Sequence, residues 1–184
     1  VTTLLEDGLA GTWEDLRVDE PYVFRRNDGK WIMLYMGDAG GAVEQVSYAT
    51  ADNILGPYTK FGADPFIPFG PEGSYDAGTV ADPWVYELNG VYYIGYTVSP
   101  TNHSPWQTAM ATTTDWQSIK KIGVILPRGA EFNSFRGAVI RIGDEYLFSY
   151  TGGPASGEYR LCLATQPVYQ APARYTDNAE NVFE

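Results

Sequence analysis

An all-β fold assembled from β-propeller blades is what this sequence predicts, on two observations: a strand pattern that recurs three times, and turn residues spaced between the strands. The first copy opens with Val18-Asp19-Glu20-Pro21-Tyr22-Val23-Phe24 and continues through apolar runs at 30–37 and 46–51. The second opens with Val80-Ala81-Asp82-Pro83-Trp84-Val85-Tyr86 and continues at 91–97 and 108–113. The third opens with Ser134-Phe135-Arg136-Gly137-Ala138-Val139-Ile140 and continues at 145–152 and 160–165. Glu20 and Asp82 are 62 residues apart, and Asp82 and Arg136 are 54 apart. A period of roughly 40 to 60 residues with several short strands per unit is the signature of a propeller blade. The first strand of each blade lines the central channel, so the residues that open it meet any ligand there.

The remaining elements follow in order. A lead-in precedes each channel strand, at 8–15, 70–77 and 128–134, and carries the chain from one blade's outer edge to the next inner strand. Fourth strands are expected at 57–61 and 119–122, with a weaker candidate at 173–176. Asn27-Asp28-Gly29, Asn89-Gly90 and Gly143-Asp144 are the hairpin turns, Asn89-Gly90 carrying the strongest signal. The run 114–118 is long enough for one helical turn and no more. The chain therefore reads as a single domain over 1–184, three four-stranded blades beginning near 18, 80 and 134. Three blades do not close a ring, which takes about four to eight. Open blade edges and faces invite association, so self-association is expected.

Composition narrows the partners. Apolar residues make up 44% and charged residues 19%, with 20 Gly and 12 Pro, the balance of a globular strand-and-turn protein. A net charge of −11 disfavours nucleic acid and anionic membrane surfaces and leaves a neutral ligand such as a carbohydrate unaffected. No run approaches the ~20 apolar residues of a membrane helix. The single cysteine, Cys162, has no internal disulfide partner and reads as a small buried apolar residue. No secretory signal is visible and the sequence starts at Val1, as expected of a processed chain or a piece of a longer one.

The phrase Val80-Ala81-Asp82-Pro83-Trp84-Val85-Tyr86, followed by Gly90-Val91-Tyr92-Tyr93, resembles the five-bladed β-propeller glycosidases, glycoside hydrolase family 43 and its relatives. These repeat an acidic residue and a proline at the start of a channel strand, with an aromatic second strand behind. Gly56-Pro57-Tyr58 after Tyr48-Ala49-Thr50-Ala51 resembles the same group. The resemblance covers nearly the whole chain but only about three fifths of such an enzyme. It implies carboxylates around the channel mouth, a glycosidic bond as the target, and a place outside the cytoplasm, extracellular or periplasmic. Hydrolysis with inversion needs one carboxylic acid to protonate the leaving oxygen and one carboxylate to activate water; retaining relatives use the second as nucleophile. A third carboxylate nearby raises the acid's pKa by like-charge repulsion.

By that resemblance Glu20 and Asp82 are the catalytic candidates, as base and pKa-modulating carboxylate, with the general acid unassigned. Glu20 stands where the family usually has Asp. Arg136 stands where a third carboxylate is expected, and is assigned to orienting substrate. An Arg beside two carboxylates should lower their pKa values and oppose a general-acid role. Glu131 or Glu158 could supply the missing acid. Four further substrate contacts are expected. Trp84 adjoins Asp82-Pro83, and Trp106 and His103 lie in the loop between the second and third strands of blade two. Asp76 precedes the second channel strand, although its counterparts Glu14 and Asn133 favour a turn-stabilising role. His103 also reads as an exposed loop residue, or as one ligand of a calcium ion such as some relatives hold. One His and one Cys support no zinc site, and no cofactor is expected. Two alternatives remain open: a non-catalytic sugar-binding or assembly module that lost the third carboxylate, and a mannoside phosphorylase-like enzyme in which Arg136 meets phosphate.

Overall fold

The structure, a computed structural model, describes residues 3–40, 43–102, 105–126, 133–142, 145–154 and 159–167. Eleven strands and no helix are formed among them. Blade one comprises β1 (Arg17–Arg25), β2 (Trp31–Asp38), β3 (Glu44–Ala51) and β4 (Thr59–Lys60). Blade two comprises β5 (Thr79–Leu88), β6 (Val91–Ser99), β7 (Gln107–Thr113) and β8 (Lys120–Leu126). Blade three contributes β9 (Asn133–Ile142), β10 (Glu145–Gly153) and β11 (Arg160–Pro167). Each sheet is an antiparallel meander in chain order. The expected strand at 173–176, the Gly143-Asp144 turn, Glu131, Glu158 and His103 lie outside the described residues.

Local sequence accounts for the elements. Asn89 and Gly90 take φ of 53° and 80°, the left-handed pair that a two-residue hairpin requires. The helical turn expected at 114–118 does not form, because Trp116 has a φ of 57°. Instead the Asp115 carboxylate accepts hydrogen bonds from the backbone N–H groups of Gln117 and Ser118, closing a bend. Trp116 is thereby turned inward, 1% exposed, against Phe24, Tyr48, Phe66 and Tyr92.

The two lead-ins that are described in full repeat one device. In each, an N–H at the start donates to the carbonyl of the acidic residue, Gly8 to Glu14 and Gly70 to Asp76. That acid is then buried against a lysine of its own blade's last strand. Glu14 Oε1 is 2.8 Å from Lys60 Nζ, and Asp76 Oδ2 is 2.6 Å from Lys121 Nζ. The pairing neutralises carboxylates that would be costly to bury alone.

Two apolar seams join the blades. Ile32, Leu34, Val46 and Tyr48 of blade one meet Val85, Tyr92, Ile94 and Tyr96 of blade two. Trp84, Met110, Ile125 and Leu126 of blade two meet Phe148 of blade three, flanked by Val139 and Tyr150. The Trp84 ring lies 5.0 Å from Phe148, centroid to centroid, and a Cβ at either Gly95 or Gly137 would overlap the indole. The absence of a side chain at both positions lets blades two and three close on this ring. Cys162 on β11 is half-buried rather than core. Gly95→Ala should therefore destabilise the fold by about 1–3 kcal/mol through overpacking at the second seam. Urea denaturation monitored by tryptophan fluorescence measures this, and an unchanged midpoint would contradict the close approach.

Candidate functional site

All three channel strands carry the same β-bulge. Between Asp19↔Met36 and Tyr22↔Leu34, the pair Glu20-Pro21 opposes the single residue Tyr35. Asp82-Pro83 opposes Tyr96 in blade two, and Arg136-Gly137 opposes Tyr150 in blade three. The second residue of each pair is Pro or Gly. Proline has no N–H to contribute to a ladder, and glycine adds no side chain to the crowded bend. The first residue adopts a left-handed φ each time: 54° at Glu20, 49° at Asp82 and 53° at Arg136. Such a conformation is unfavourable for a residue with a Cβ and clusters at functional sites. Its effect here is to turn three side chains out of the normal alternation towards one point.

At that point the side chains contact one another. The backbone N–H of Asp82 donates to Glu20 Oε2 at 2.8 Å. Arg136 Nε donates to Asp82 Oδ1 at 3.1 Å, and its Nη2 stands 3.9 Å from Glu20 Oε1. The Arg136 N–H donates to Thr97 Oγ1 at 3.1 Å, fixing the third strand to the second blade. Burial first, and then the neighbouring Asp82 charge, push the Glu20 carboxyl up to about 8. For Glu20 this reverses the expectation that Arg136 would lower its pKa. The guanidinium side chain is 65% exposed and approaches Glu20 only at 3.9 Å, so solvent screens it, whereas burial and Asp82 act at close range.

A cavity of about 290 Å³ opens over this cluster, lined by Glu20, Asp82 and Arg136 together with Glu44, Thr79, Ala81, Thr97, Trp106, Phe135, Thr151 and Tyr159. Its upper wall comes from equivalent places in the three blades, the residues that begin or immediately precede the third strand: Glu44, Trp106 and Tyr159. Trp106 packs at 4.9 Å on Phe135, Phe135 meets Tyr159 edge-on at 5.2 Å, and the Arg136 guanidinium lies 5.7 Å above the Phe135 ring. Ser134 N–H donates to the Trp106 carbonyl at 3.2 Å, holding that loop over β9. Aromatic walls, threonine hydroxyls and a proton-bearing carboxyl suit a sugar, whose C–H faces pack on rings while its hydroxyls hydrogen-bond.

Two expected contacts lie elsewhere. Trp84 is 1% exposed within the second seam, because strand alternation past the bulge sends it to the blade face. Asp76 is 1% exposed and engaged by Lys121 and Ser74, so the counterpart relation to Glu14 describes it better than a rim position does. Trp106 does line the cavity; Glu44, Phe135 and Tyr159 join it without having been singled out from sequence. The repeat register held the signal, since Glu44, Trp106 and Tyr159 each stand three residues before the partner of the bulge tyrosine, namely Ser47, Ala109 and Cys162. Among the described residues, no group of three or more His, Cys, Asp or Glu side chains is placed to hold a metal ion. A larger hollow of about 520 Å³ lies beneath the N-terminal segment near Tyr58 and Lys60, and contains none of the expected site residues.

No protein-family model matches the chain. It is similar to arabinan endo-1,5-α-L-arabinosidase A of Aspergillus aculeatus, 27% identical over 140 residues that make up 72% of this chain and 40% of that protein. A probable arabinan endo-1,5-α-L-arabinosidase A of Emericella nidulans is 26% identical over 167 residues, 86% of this chain and 49% of the relative. The chain thus spans less than half the length of these curated relatives. Among solved structures, an endo-arabinase from Bacteroides thetaiotaomicron superposes with a TM-score of 0.64 at 12% identity, covering 87% of this chain and 60% of that one. A thermostable family-43 glycoside hydrolase gives 0.63 at 18% identity, over 89% and 61%. A family 117 glycoside hydrolase of Zobellia galactanivorans gives 0.60 at 20% identity, over 92% and 52%. These likenesses bear out the propeller fold and the resemblance to the propeller glycosidases.

The raised Glu20 carboxyl has a consequence for stability. A group whose pKa is higher in the folded than in the unfolded chain stabilises the fold fully below its ordinary value of 4.5, and that contribution is lost as pH rises towards 8. The melting temperature of the wild type should therefore fall relative to Glu20→Gln between about pH 4.5 and 8. Parallel melting curves across that window would show that Glu20 is not perturbed.

Proposed function

We propose that the cavity at the three bulges is the site of an O-glycosyl hydrolase acting outside the cytoplasm on a neutral plant-type or microbial polysaccharide, with arabinan the first candidate. The observation that carries this reading is the Glu20 carboxyl, half-buried in the cavity beside Asp82 and raised to about 8, so that it keeps its proton at neutral pH. A protonated carboxyl at a sugar-sized cavity is the group that glycoside cleavage needs for the leaving oxygen. In this reading Glu20 takes the role of general acid, left unassigned by sequence, in place of the base role that the resemblance implied, and Asp82 is the neighbour that raises it. Arg136 holds Asp82 in place through Nε and presents its exposed edge to the substrate. The similarity to arabinan-cleaving relatives supports the substrate class.

The rival reading is a sugar-binding module, favoured by Arg136 in the third position. A phosphorylase has less support, since the Arg136 Nε that would help to grip phosphate already contacts Asp82 at 3.1 Å. Release of reducing ends from 1,5-α-L-arabino-oligosaccharides separates these readings. For the hydrolase, Glu20→Gln lowers kcat by about 10²–10⁴-fold, the contribution of general acid catalysis. The wild-type rate falls as pH rises through about 8. Asp82→Asn moves that alkaline limb to lower pH, because removing the like charge lowers the acid's pKa. Binding without turnover would establish the module instead.

Self-association belongs to the same proposal. The outer face of blade three exposes Ile140, Ile142, Leu161 and Leu163 at 58–76% of their surface, an apolar stripe where the next blade of a ring would stack. Light scattering at micromolar concentration is expected to give a dimer or larger assembly; a monomer at all concentrations would overturn this.

A further inference from the structure

The reaction proposed above needs a carboxylate besides the proton donor Glu20 and its neighbour Asp82, and the channel strands present no third one to the cavity. Asp82 is held by the Arg136 Nε, and the third strand presents Arg136 itself. Asp19 and Asp38 do not line the cavity. Asp19 sits 3.4 Å from Arg17 Nε, while Asp38 accepts from the Gly40 N–H at 2.6 Å and from Arg17 at 2.9 Å. Among the described residues, one further carboxylate lines the cavity: Glu44, the first residue of β3.

We propose that Glu44 is the catalytic carboxylate that takes a proton from the attacking water, opposite in role to the proton donor Glu20. The inference rests on the glycosidase reading and deepens it. Glu44 enters from the third strand of blade one, not from a channel strand, so its position is independent of the bulges. Its Oε1 lies 3.3 Å from Arg17 Nη2, and its side chain is 13% exposed. The same Arg17 nitrogen binds Asp38, so the guanidinium is fixed at the base of the β2–β3 connection and orients Glu44 in turn. Three carboxyl groups line the cavity and differ in what they touch: Asp82 is bound by Arg136, Glu20 lies beside Asp82 with Arg136 only at 3.9 Å, and Glu44 is held by Arg17 at 3.3 Å.

The step balances. The water oxygen forms a bond to the anomeric carbon as the bond from that carbon to the leaving oxygen breaks. The broken bond's electron pair passes to the leaving oxygen, which takes the Glu20 proton, and Glu44 receives a proton from the water. One water is consumed, and the proton returns from Glu44 to Glu20 through solvent.

The test uses the 184-residue chain with 1,5-α-L-arabino-oligosaccharides, measuring kcat and KM by reducing-end release and affinity by calorimetry. Glu44→Gln, which keeps the side-chain volume beside Arg17, is expected to lower kcat by about 10²–10⁴-fold with KM within about threefold. Glu44→Ala is expected to regain at least about tenfold of its lost rate in sodium formate, a small external carboxylate that can accept the proton. A Glu44→Gln kcat within about threefold of wild type would overturn the assignment and move the role to a residue outside those described. So would an inactive Glu44→Ala that formate does not restore and whose melting temperature has dropped, since that marks a structural tie to Arg17. Failure of the glycosidase reading looks different: the wild type binds the oligosaccharides, or ignores them, and releases no reducing ends at any pH.

Discussion

One backbone constraint organises this protein: two residues of each channel strand face a single tyrosine of the next strand. Tyr35, Tyr96 and Tyr150 hold that place in the three blades. Opposing two residues to one bends the strand and forces the first of the pair into a left-handed conformation. Without the bend, Glu20, Asp82 and Arg136 would follow the ordinary alternation of a pleated strand and point into the blade seams. With it, three side chains from three sheets meet within hydrogen-bonding reach. The cavity, the raised Glu20 carboxyl and the Arg136–Asp82 contact all follow from that redirection.

Electrostatics at the cluster is decided by distance and burial rather than by formal charge. Arg136 brings a positive charge, yet its side chain is largely exposed and its short contact is with Asp82. Glu20 accepts one backbone hydrogen bond, which favours its ionised form, but is otherwise enclosed and faces a second carboxylate. Burial and like charge outweigh the single hydrogen bond. The site can therefore keep a proton on Glu20 at neutral pH, which a more exposed cluster of the same residues would not do.

Much of this was legible in the sequence because a propeller writes its plan several times. The repeat register by itself aligns Glu20, Asp82 and Arg136, and the Asn89-Gly90 turn and most strand positions follow from local chemistry. What the sequence did not disclose was direction. Trp84, two residues past Asp82, looked like a ligand contact by adjacency, yet the bulge turns Asp82 one way and leaves Trp84 in the seam. Asp76 looked like a rim residue, yet Lys121, 45 positions away in the chain, claims it. Nor does a list of charges foretell that Arg136 would reach Asp82 more closely than Glu20. Glu44 and Tyr159 went unnoticed because a single acid or aromatic at the start of a third strand carries no local signature. Their meaning comes from the neighbouring blades.

The buried pairs Glu14–Lys60 and Asp76–Lys121 bear on how such a molecule can grow. Each latch is made inside one blade, between its own lead-in and its own last strand, so these two units settle their buried charge without help from the next. What one unit asks of its neighbour is mainly a greasy face of the right shape, with a few hydrogen bonds across it. A module of that kind can be copied head to tail without any charge on its partners having to change first. The number of blades is then free to vary, while each copy keeps the bulge position available for whatever residue the chemistry requires.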